Sequence, residues 1–351
     1  MNAALLNRIF GIGKTPITLL AIAFLISACQ GGNALRQVVV YTSVDQVYAE
    51  PVLKVFEETS GIRVLAVYDV EATKTVGLAQ RLLAEKGHPQ ADVFWNGEFS
   101  QTMFLKEQGV LAQYRSPAAA DLPAEYADPD GYWYAFGGRA RVILVNTELV
   151  RPGEEPSSIF DLLEERYPAH LLALANPLFG TTSTQAAALY AVNGADASRS
   201  FYQQVAARGV RVVDGNSVVR DMVASGQLAW GLTDTDDACS ALQKGAPVQV
   251  IFPDQGEGQI GTLVIPNTVA LVANAPHPEN GQALVDYLLS PEAEALMVKL
   301  GWIQIPARPL PEGVMPSCFA GISVRGMSAS FEEIYQYLAA TREDMQEIFV
   351  R

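Results

Sequence analysis

The sequence contains few residues of the kinds that build transition-metal or thiol sites. Its 351 residues include 3 cysteines and 3 histidines. Two of the cysteines, Cys239 and Cys318, have no C-x-x-C partner, which excludes zinc-finger and thioredoxin-type chemistry. His88, His170 and His277 are far apart in the chain, so a histidine-rich metal site is not expected. Whether the two cysteines form a disulfide is left open, because pairing depends on their geometry.

The chain also lacks a basic patch and the common catalytic motifs. Its formal net charge is -14 and its isoelectric point is about 4.7, which argues against nucleic acid as a partner. The patterns G-x-S-x-G, H-E-x-x-H and Walker A are absent from the sequence. A secreted hydrolase with a carboxylate pair is therefore only an alternative of another class.

The N-terminus has an apolar run, "TPITLLAIAFLISAC", that follows a basic segment. The run is shorter than the ~20 residues of a membrane-spanning helix, and it is typical of a secretory signal peptide, here residues 1–28. Its ending, "LISAC", resembles a bacterial lipobox, which implies cleavage after Ala28 and lipidation of Cys29. An ordinary signal peptide with a chance cysteine is the alternative. Residues 29–36 then form a polar tether.

Strand-like and helix-like segments alternate after the tether. "QVVVYTS", "IRVLAVYD" and "ADVFWNG" are rich in β-branched and aromatic residues, and an amphipathic segment follows each of them. This alternation predicts an α/β fold with a parallel sheet. The length predicts two lobes rather than one. Gly137–Gly138, in "GYWYAFGGRARVILVNT", marks either a hinge between the lobes or a simple turn.

At this point the chain resembles the substrate-binding proteins of ABC importers, in particular the periplasmic ferric-ion-binding proteins. Among the stretches that carry the resemblance are "VVVYTSVDQVYAEPVLKVFEETSGIRV" and "WGLTDTDDACSALQKGAPVQVIFP". The resemblance covers most of residues 37–305. It implies a type II periplasmic-binding-protein-like fold, with two parallel-sheet lobes, a hinge and a ligand cleft. Lobe one would be 37–135 and lobe two 136–262, and 263–351 would return to lobe one and add the C-terminal helices.

The resemblance also implies a function. The protein would be a lipid-anchored receptor, in the periplasm or at the cell surface, that captures a small solute and delivers it to an ABC permease. Ferric iron, possibly with an anion, is the family-based expectation for the solute, and a sugar or phosphorylated compound is the alternative. We expect a monomer that has no enzymatic activity and requires no cofactor, so that a bound metal ion would be cargo.

Candidate ligand-binding residues lie in loops at the carboxyl ends of the predicted strands, where α/β proteins bind their ligands. They are Thr42, Ser43, Asp45, Thr73, Lys74, Trp95, Asn96, Glu98, Arg139, Thr181, Thr182, Ser183, Asp234, Thr235 and Asp236. Several have a second interpretation: Ser43 or Asp45 could only cap a helix, and Trp95 could lie in the core instead of stacking on a ligand. An anionic ligand would need Lys74, Arg139 or Arg141 to offset the acids.

The acidic stretch "GLTDTDDA" stands where ferric-binding relatives place two adjacent tyrosines, and Asp236–Asp237 match that pair. The tyrosinate mechanism therefore does not carry over. Carboxylates suit hard cations, so Asp45, Glu98, Asp236 and Asp237 form a candidate metal set. The same carboxylates could accept hydrogen bonds from hydroxyl or ammonium groups. In the simplest alternative Asp237 caps the next helix and the other aspartates lie in water.

Overall fold

A computed structural model describes four stretches of the chain. They are residues 36–69, 77–314, 318–319 and 322–350. Cys29 and the predicted signal peptide lie outside the described residues, and so do Thr73 and Lys74. The expectations for these residues therefore stay predictions.

The strands of the described residues form one mixed sheet. They are β1 (Gln37–Thr42), β2 (Arg63–Tyr68), β3 (Val93–Asn96), β4 (Leu111–Ala112), β5 (Tyr134–Asn146), β6 (Leu172–Ala175), β7 (Arg211–Val213), β8 (Trp230–Asp234), β9 (Val248–Ile251) and β10 (Val264–Val272). The order is β2-β1-β3-β10-β5-β8-β6-β7, with β4 on β10 and β9 on β5. The strands β1, β2 and β3 pair in parallel, as do β6, β7 and β8, whereas β5 and β10 pair antiparallel with their neighbours.

Helices connect most of these strands. They are α1 (Gln46–Ser60), α2 (Gly77–Ala84), α3 (Ser100–Glu107), α4 (Gly180–Asn193), α5 (Ala195–Arg208), α6 (Asn216–Ala224), α7 (Thr235–Gln243), α8 (Pro278–Leu288), α9 (Pro291–Lys299) and α10 (Phe331–Phe349). Within the described stretches, no helix has both the length and the apolar character needed to cross a membrane.

Strand β3 and helix α1 show why these segments form these elements. Each residue of β3 is buried, as expected for a strand covered by helices on both faces. Helix α1 buries Val52 and Phe56 on one side. It ends at Gly61, whose φ of 67° is left-handed and whose N–H donates to Glu57 O. A glycine closes this helix because a side chain would strain that conformation.

The long strand β5 joins the two parallel groups. Its first residues pair with β10 and its last with β8 and β9. Gly137 and Gly138 lie inside this continuous strand, so the prediction of a simple turn was wrong. A Cβ on Gly138 would lie 2.0 Å from Ile265 O. Close approach of the neighbouring strand therefore requires a glycine here, whereas the hinge stays a prediction.

The C-terminal helix packs on the second parallel group. Tyr190 Oη on α4 donates to Asp344 Oδ2 on α10 at 2.6 Å, and Arg199 Nη2 on α5 lies 2.7 Å from Glu347 Oε2. Residues 37–351 form one compact unit, so the division into two lobes stays a prediction. The predicted α/β class is observed, but with antiparallel strands between the parallel groups.

Cys239 and Cys318 form a disulfide, which answers the question that the sequence left open. Their Cα atoms are 5.6 Å apart, within the usual range for disulfides. Cys239 lies on α7, two and three residues after the acidic residues at its start. The bond therefore ties the helix that carries Asp236 and Asp237 to the segment that precedes α10.

Candidate functional site

Three helices begin side by side at one edge of the sheet. Because β6, β7 and β8 are parallel neighbours, their carboxyl ends meet there, and α4, α6 and α7 start just after them. The N-cap positions are Phe179, Gly215 and Asp234, and none of them accepts a capping hydrogen bond from its helix through a side chain. Helix N-termini carry partial positive charge and unpaired N–H groups. This edge therefore favours anionic groups.

Asp234 is the centre of a buried hydrogen-bond network. Its Oδ1 accepts from Arg141 Nη1 at 2.7 Å. Its Oδ2 accepts from Thr181 Oγ1 at 2.7 Å and from Asn216 Nδ2 at 3.1 Å. Arg141 is fully buried, and its Nε donates to Gln185 Oε1 at 3.0 Å. Asp234 thus neutralises a buried arginine and ties the starts of α4 and α6 to β8, so its carboxylate is already saturated.

Arg139 lies next to this network, two residues before Arg141 on β5. Its Nε is 3.6 Å from Asp234 Oδ2 and has no hydrogen-bond partner in the described part of the chain. Burial lowers the pKa of the Arg139 guanidinium, but the charges of Asp236 and Asp234 outweigh burial and hold it above its usual value. Glu98 adds to this effect. The guanidinium is therefore a fixed positive charge between acids from both parallel groups.

Asp236 has an unused acceptor. Carboxylate oxygens of Asp234, Asp236 and Asp237 lie within 4.8 Å of one another. Oδ1 of Asp236 is buried and has no hydrogen-bond partner among the described residues. Burial raises the pKa of Asp236, and the positive charge of Arg139 opposes that shift. A buried acceptor of this kind usually has a partner, so the site presents it to a ligand or to water.

Asp237 does not cap α7, and that prediction was wrong. The helix begins at Thr235, and Asp234 holds the N-cap position. Asp237 instead accepts from Arg220 Nη1 at 2.8 Å and from Thr233 Oγ1 at 3.3 Å. Burial, with the charges of Asp236 and Asp234, raises the pKa of Asp237 to about 7.

The loops after β1 and β3 form a second network. Ser43 Oγ donates to Asn96 Oδ1 and accepts from Gly97 N at 3.0 Å. Asn96 Nδ2 donates to Glu98 Oε1 at 3.1 Å, and Glu98 Oε2 accepts from Ser100 N at 2.7 Å. Glu98 therefore caps the start of α3. Its oxygens are engaged in protein hydrogen bonds, which does not fit the predicted metal role.

Some predicted site residues have structural roles. Trp95 is fully buried in the core and packs against Phe136, with ring centroids 6.5 Å apart. The predicted stacking wall is therefore not formed by Trp95, because a buried strand position faces other side chains. Thr235 Oγ1 accepts from Ala140 N at 3.0 Å, which joins α7 to β5.

The remaining predicted residues lie at the starts of their helices or strand ends. Thr42 is buried, and its Oγ1 accepts from Val44 N at 3.1 Å. Asp45 holds the N-cap position of α1 without a side-chain cap hydrogen bond, and it is not part of the aspartate group that could hold a metal. Thr182 Oγ1 lies 3.4 Å from Asn216 Oδ1, and Ser183 is half-buried in the first turn of α4.

Several residues that meet at the site have no local signal in the sequence. Trp302, which follows α9, lies next to Arg139, with the guanidinium carbon 5.7 Å from the ring centroid. Tyr48 also lies against Trp302, with ring centroids 5.2 Å apart. Asn216 and Gln185 also meet at the site, where each accepts a hydrogen bond from Arg141. Their partners are distant in the chain, so no local pattern could have identified them.

Comparison with known proteins identifies the family. Residues 89–317 match the family described as bacterial extracellular solute-binding protein. The chain belongs to this family. It is therefore a solute-binding protein of an ABC transporter and is periplasmic, as the resemblance implied.

Two relatives of this solute-binding protein have different cargoes in their names, and a third has none. A putative 2-aminoethylphosphonate-binding periplasmic protein of Salmonella typhi is 24% identical over 242 residues, 68% of each chain. Iron uptake protein A1 of Synechocystis is 25% identical over 269 residues, 74% of this chain and 71% of the relative. A probable ABC transporter periplasmic-binding protein of Sinorhizobium fredii is 28% identical over 253 residues, 68% and 66% of the two chains.

Solved structures confirm the type II periplasmic-binding-protein fold. Apo ferric ion-binding protein A of Pasteurella haemolytica superposes with a TM-score of 0.76 at 21% identity, over 90% of this chain and 100% of the other. The periplasmic binding protein AfuA of Actinobacillus pleuropneumoniae, with fructose-6-phosphate bound, has a TM-score of 0.72 at 20% identity, over 90% and 99%. At these identities the likeness shows the fold alone.

Proposed function

We propose that this protein captures a small organic phosphate or phosphonate that also carries a hydroxyl or ammonium group, and that it delivers this solute to an ABC permease. The observation that carries the proposal is that Arg139 and Asp236, which both lie near Asp234, each keep a buried polar atom without a hydrogen-bond partner among the described residues. A fixed positive charge with an unpartnered Nε and a buried carboxylate with an unpartnered oxygen thus occupy one site. Such a site offers donors to an anion and an acceptor to a hydroxyl or ammonium.

The anionic end of the solute is assigned to the starts of α4 and α6. Phosphate groups bind at helix N-termini because the N–H groups and the helix dipole both favour negative charge. Arg141 Nη2 is fully buried and has no hydrogen-bond partner among the described residues. Arginine suits phosphoryl groups because its planar donors match their oxygens. Two arginines and two helix starts therefore support an anionic ligand group here.

The acceptor end is assigned to Asp236. Its Oδ1 faces no donor within the described residues, and a charged acceptor forms stronger hydrogen bonds than a neutral one. A sugar hydroxyl and an ammonium group both satisfy it. Two similar proteins are named or solved with compounds that have this combination of groups. One is named for 2-aminoethylphosphonate, and the other has fructose-6-phosphate bound.

Ferric iron is the alternative cargo, and the three clustered aspartates favour it. Their oxygens lie close enough to hold one ion. However, Asp234 is bonded to Arg141 and Asp237 to Arg220. A trivalent cation would have to displace these donors and would lie next to Arg139, which repels it. We therefore rank the organic solute above iron.

A thermal-shift screen with the purified protein tests this ranking. We expect fructose 6-phosphate or 2-aminoethylphosphonate to raise the melting temperature, whereas ferric citrate leaves it unchanged. A ligand at a hundredfold excess over its Kd adds about 2.7 kcal/mol to the free energy of unfolding. Asp236→Asn and Arg139→Gln should each weaken binding of the organic compound. A shift with ferric citrate alone would overturn the proposal.

We also propose that the protein is a monomer anchored to the membrane by a lipid on Cys29. The support is the lipobox-like "LISAC". Metabolic labelling with a fatty acid tests the anchor: the full chain should be labelled, and Cys29→Ser should not. Release of wild-type protein from membranes by high salt alone would contradict it.

We further propose that the protein has no catalytic activity. In the carboxylate pair of the hydrolase alternative, Asp237 accepts a hydrogen bond from Arg220, and Asp236 is subject to the positive charge of Arg139. Hydrolysis of a chromogenic phosphate ester by the purified protein would favour the hydrolase alternative.

A further inference from the structure

One tryptophan differs from the other three in its surroundings. Trp95, Trp133 and Trp230 are at most 1% exposed, and their indole nitrogens have no hydrogen-bond partner among the described residues. Trp302 retains 7% exposure, and its Nε1 donates to Asn267 Oδ1 at 2.7 Å. All four tryptophans are therefore buried in the core, but Trp302 differs in that a hydrogen bond fixes its indole nitrogen.

Trp302 lies next to residues from three different parts of the chain. A Cβ added to Gly97, in the loop after β3, would lie 3.1 Å from Trp302 Cζ2. The ring of Tyr48 is 5.2 Å away on α1, and the Arg139 guanidinium is 5.7 Å away on β5. The indole thus lies next to α1, the loop after β3 and the arginine assigned to the anion.

The orientation of this indole is set by the backbone of β5. Asn267, which accepts from Trp302, also donates through Nδ2 to Gly137 O at 2.6 Å. Asn267 follows the irregularity in the β5–β10 pairing that lies between Pro266 and Asn267. The ring is therefore held at a set angle next to Arg139, as a binding surface requires and as hydrophobic packing alone does not.

We infer that Trp302, backed by Tyr48, is the aromatic wall of the solute site and packs on the carbon skeleton of the solute whose anionic group Arg139 binds. This inference rests on the proposed function, because a bare metal ion has no carbon skeleton to contact. Aromatic rings pair well with C–H faces of ligands and add specificity that charge alone lacks. The wall would distinguish an organic phosphate from inorganic phosphate.

The test compares fructose 6-phosphate, 2-aminoethylphosphonate and inorganic phosphate as probes of wild type, Trp302→Phe, Trp302→Leu and the core control Trp133→Phe. Binding is measured by calorimetry and by intrinsic fluorescence. We expect Trp302→Leu to weaken binding of the organic probe about tenfold, the size of one aromatic contact, and to leave the affinity for inorganic phosphate unchanged. The fluorescence change on binding should disappear in Trp302→Phe and persist in Trp133→Phe.

The outcomes separate this inference from the proposed function. If wild type binds an organic probe and both Trp302 variants bind it equally well, with the fluorescence change intact, the wall is overturned and the proposed function stands. If wild type binds none of the three probes, both are overturned. A loss of affinity for all three probes in equal measure would show a structural role for Trp302 and would also overturn the wall. Melting curves of each variant without ligand confirm that it is folded.

Discussion

At the scale of single residues, the three clustered aspartates have different roles. Asp234 is 4% exposed and is bonded to Arg141, Thr181 and Asn216. Asp237 is bonded to Arg220, whereas Asp236 keeps an oxygen without a partner. Adjacent residues of one type thus separate into a structural acid, a paired acid and a candidate ligand.

Replacing Asp234 should destabilise the fold. Asp234→Ala would leave the Arg141 guanidinium buried without its counter-charge, and breaking a buried ion pair in this way costs about 3–5 kcal/mol. Urea denaturation measures this loss. Asp130, which is exposed, provides the matched control, since Asp130→Ala should change stability little. Equal stability of the two variants would show that Arg141 is not dependent on Asp234.

Replacing Asp237 should change how stability depends on pH. Its pKa is raised from 3.8 to about 7, so the folded state binds this proton more tightly than the unfolded state. Ionising it therefore costs stability as pH rises from about 4 to about 7. Asp237→Asn, which keeps an acceptor for Arg220, should become more stable than wild type across that window by roughly 2–4 kcal/mol. Parallel stability curves of the two proteins between pH 4 and pH 8 would contradict this.

At the scale of elements, the start of α4 joins stability to ligand binding. Phe179 holds its N-cap position in an extended conformation, is 61% exposed and provides no cap hydrogen bond. Its exposure means that replacing it should cost little packing. A polar cap at this position would satisfy N–H groups that the proposed anion also uses.

Phe179→Asp should therefore raise stability and weaken ligand binding. An N-cap carboxylate contributes about 1 kcal/mol to the helix and repels an anion at the same place. Phe179→Ser is the control, because it adds a cap without a charge. Thermal melting and titration with fructose 6-phosphate measure the two effects. If the Asp and Ser variants bound the ligand equally, the anionic group would not lie at α4.

At the scale of the whole molecule, the disulfide closes a long loop. Cys239 and Cys318 are 79 residues apart in sequence, and chain entropy predicts that such a link contributes roughly 4 kcal/mol. The double variant Cys239→Ser/Cys318→Ser should lose about that much in urea denaturation. Wild type in reducing agent should match it, and the variant itself should be insensitive to reducing agent. If wild type were equally stable with and without reducing agent, a structural role for the bond would be contradicted.

The alternating segments predicted the α/β class, because periodicity and strand–helix order are local properties, whereas the family was predicted by the resemblance. The alternation also indicated the loops of the candidate site, since the carboxyl ends of parallel strands meet at one edge. It did not show that β5 and β10 run antiparallel through the middle of the sheet. Nor did it show that Trp302 lies beside Arg139, because the two residues are distant in sequence.

The sequence by itself indicated an exported protein and an α/β fold, and it placed Asp234, Asp236 and Asp237 in one short stretch. Only the tertiary structure decided which carboxylate is saturated, which cysteines pair and which aromatic ring lies beside Arg139. The physical reason is that hydrogen bonds and burial at this site join β5, β8, α4, α6 and the segment after α9. Their partners are brought together by the folding of the whole chain and cannot be identified from their neighbours in sequence.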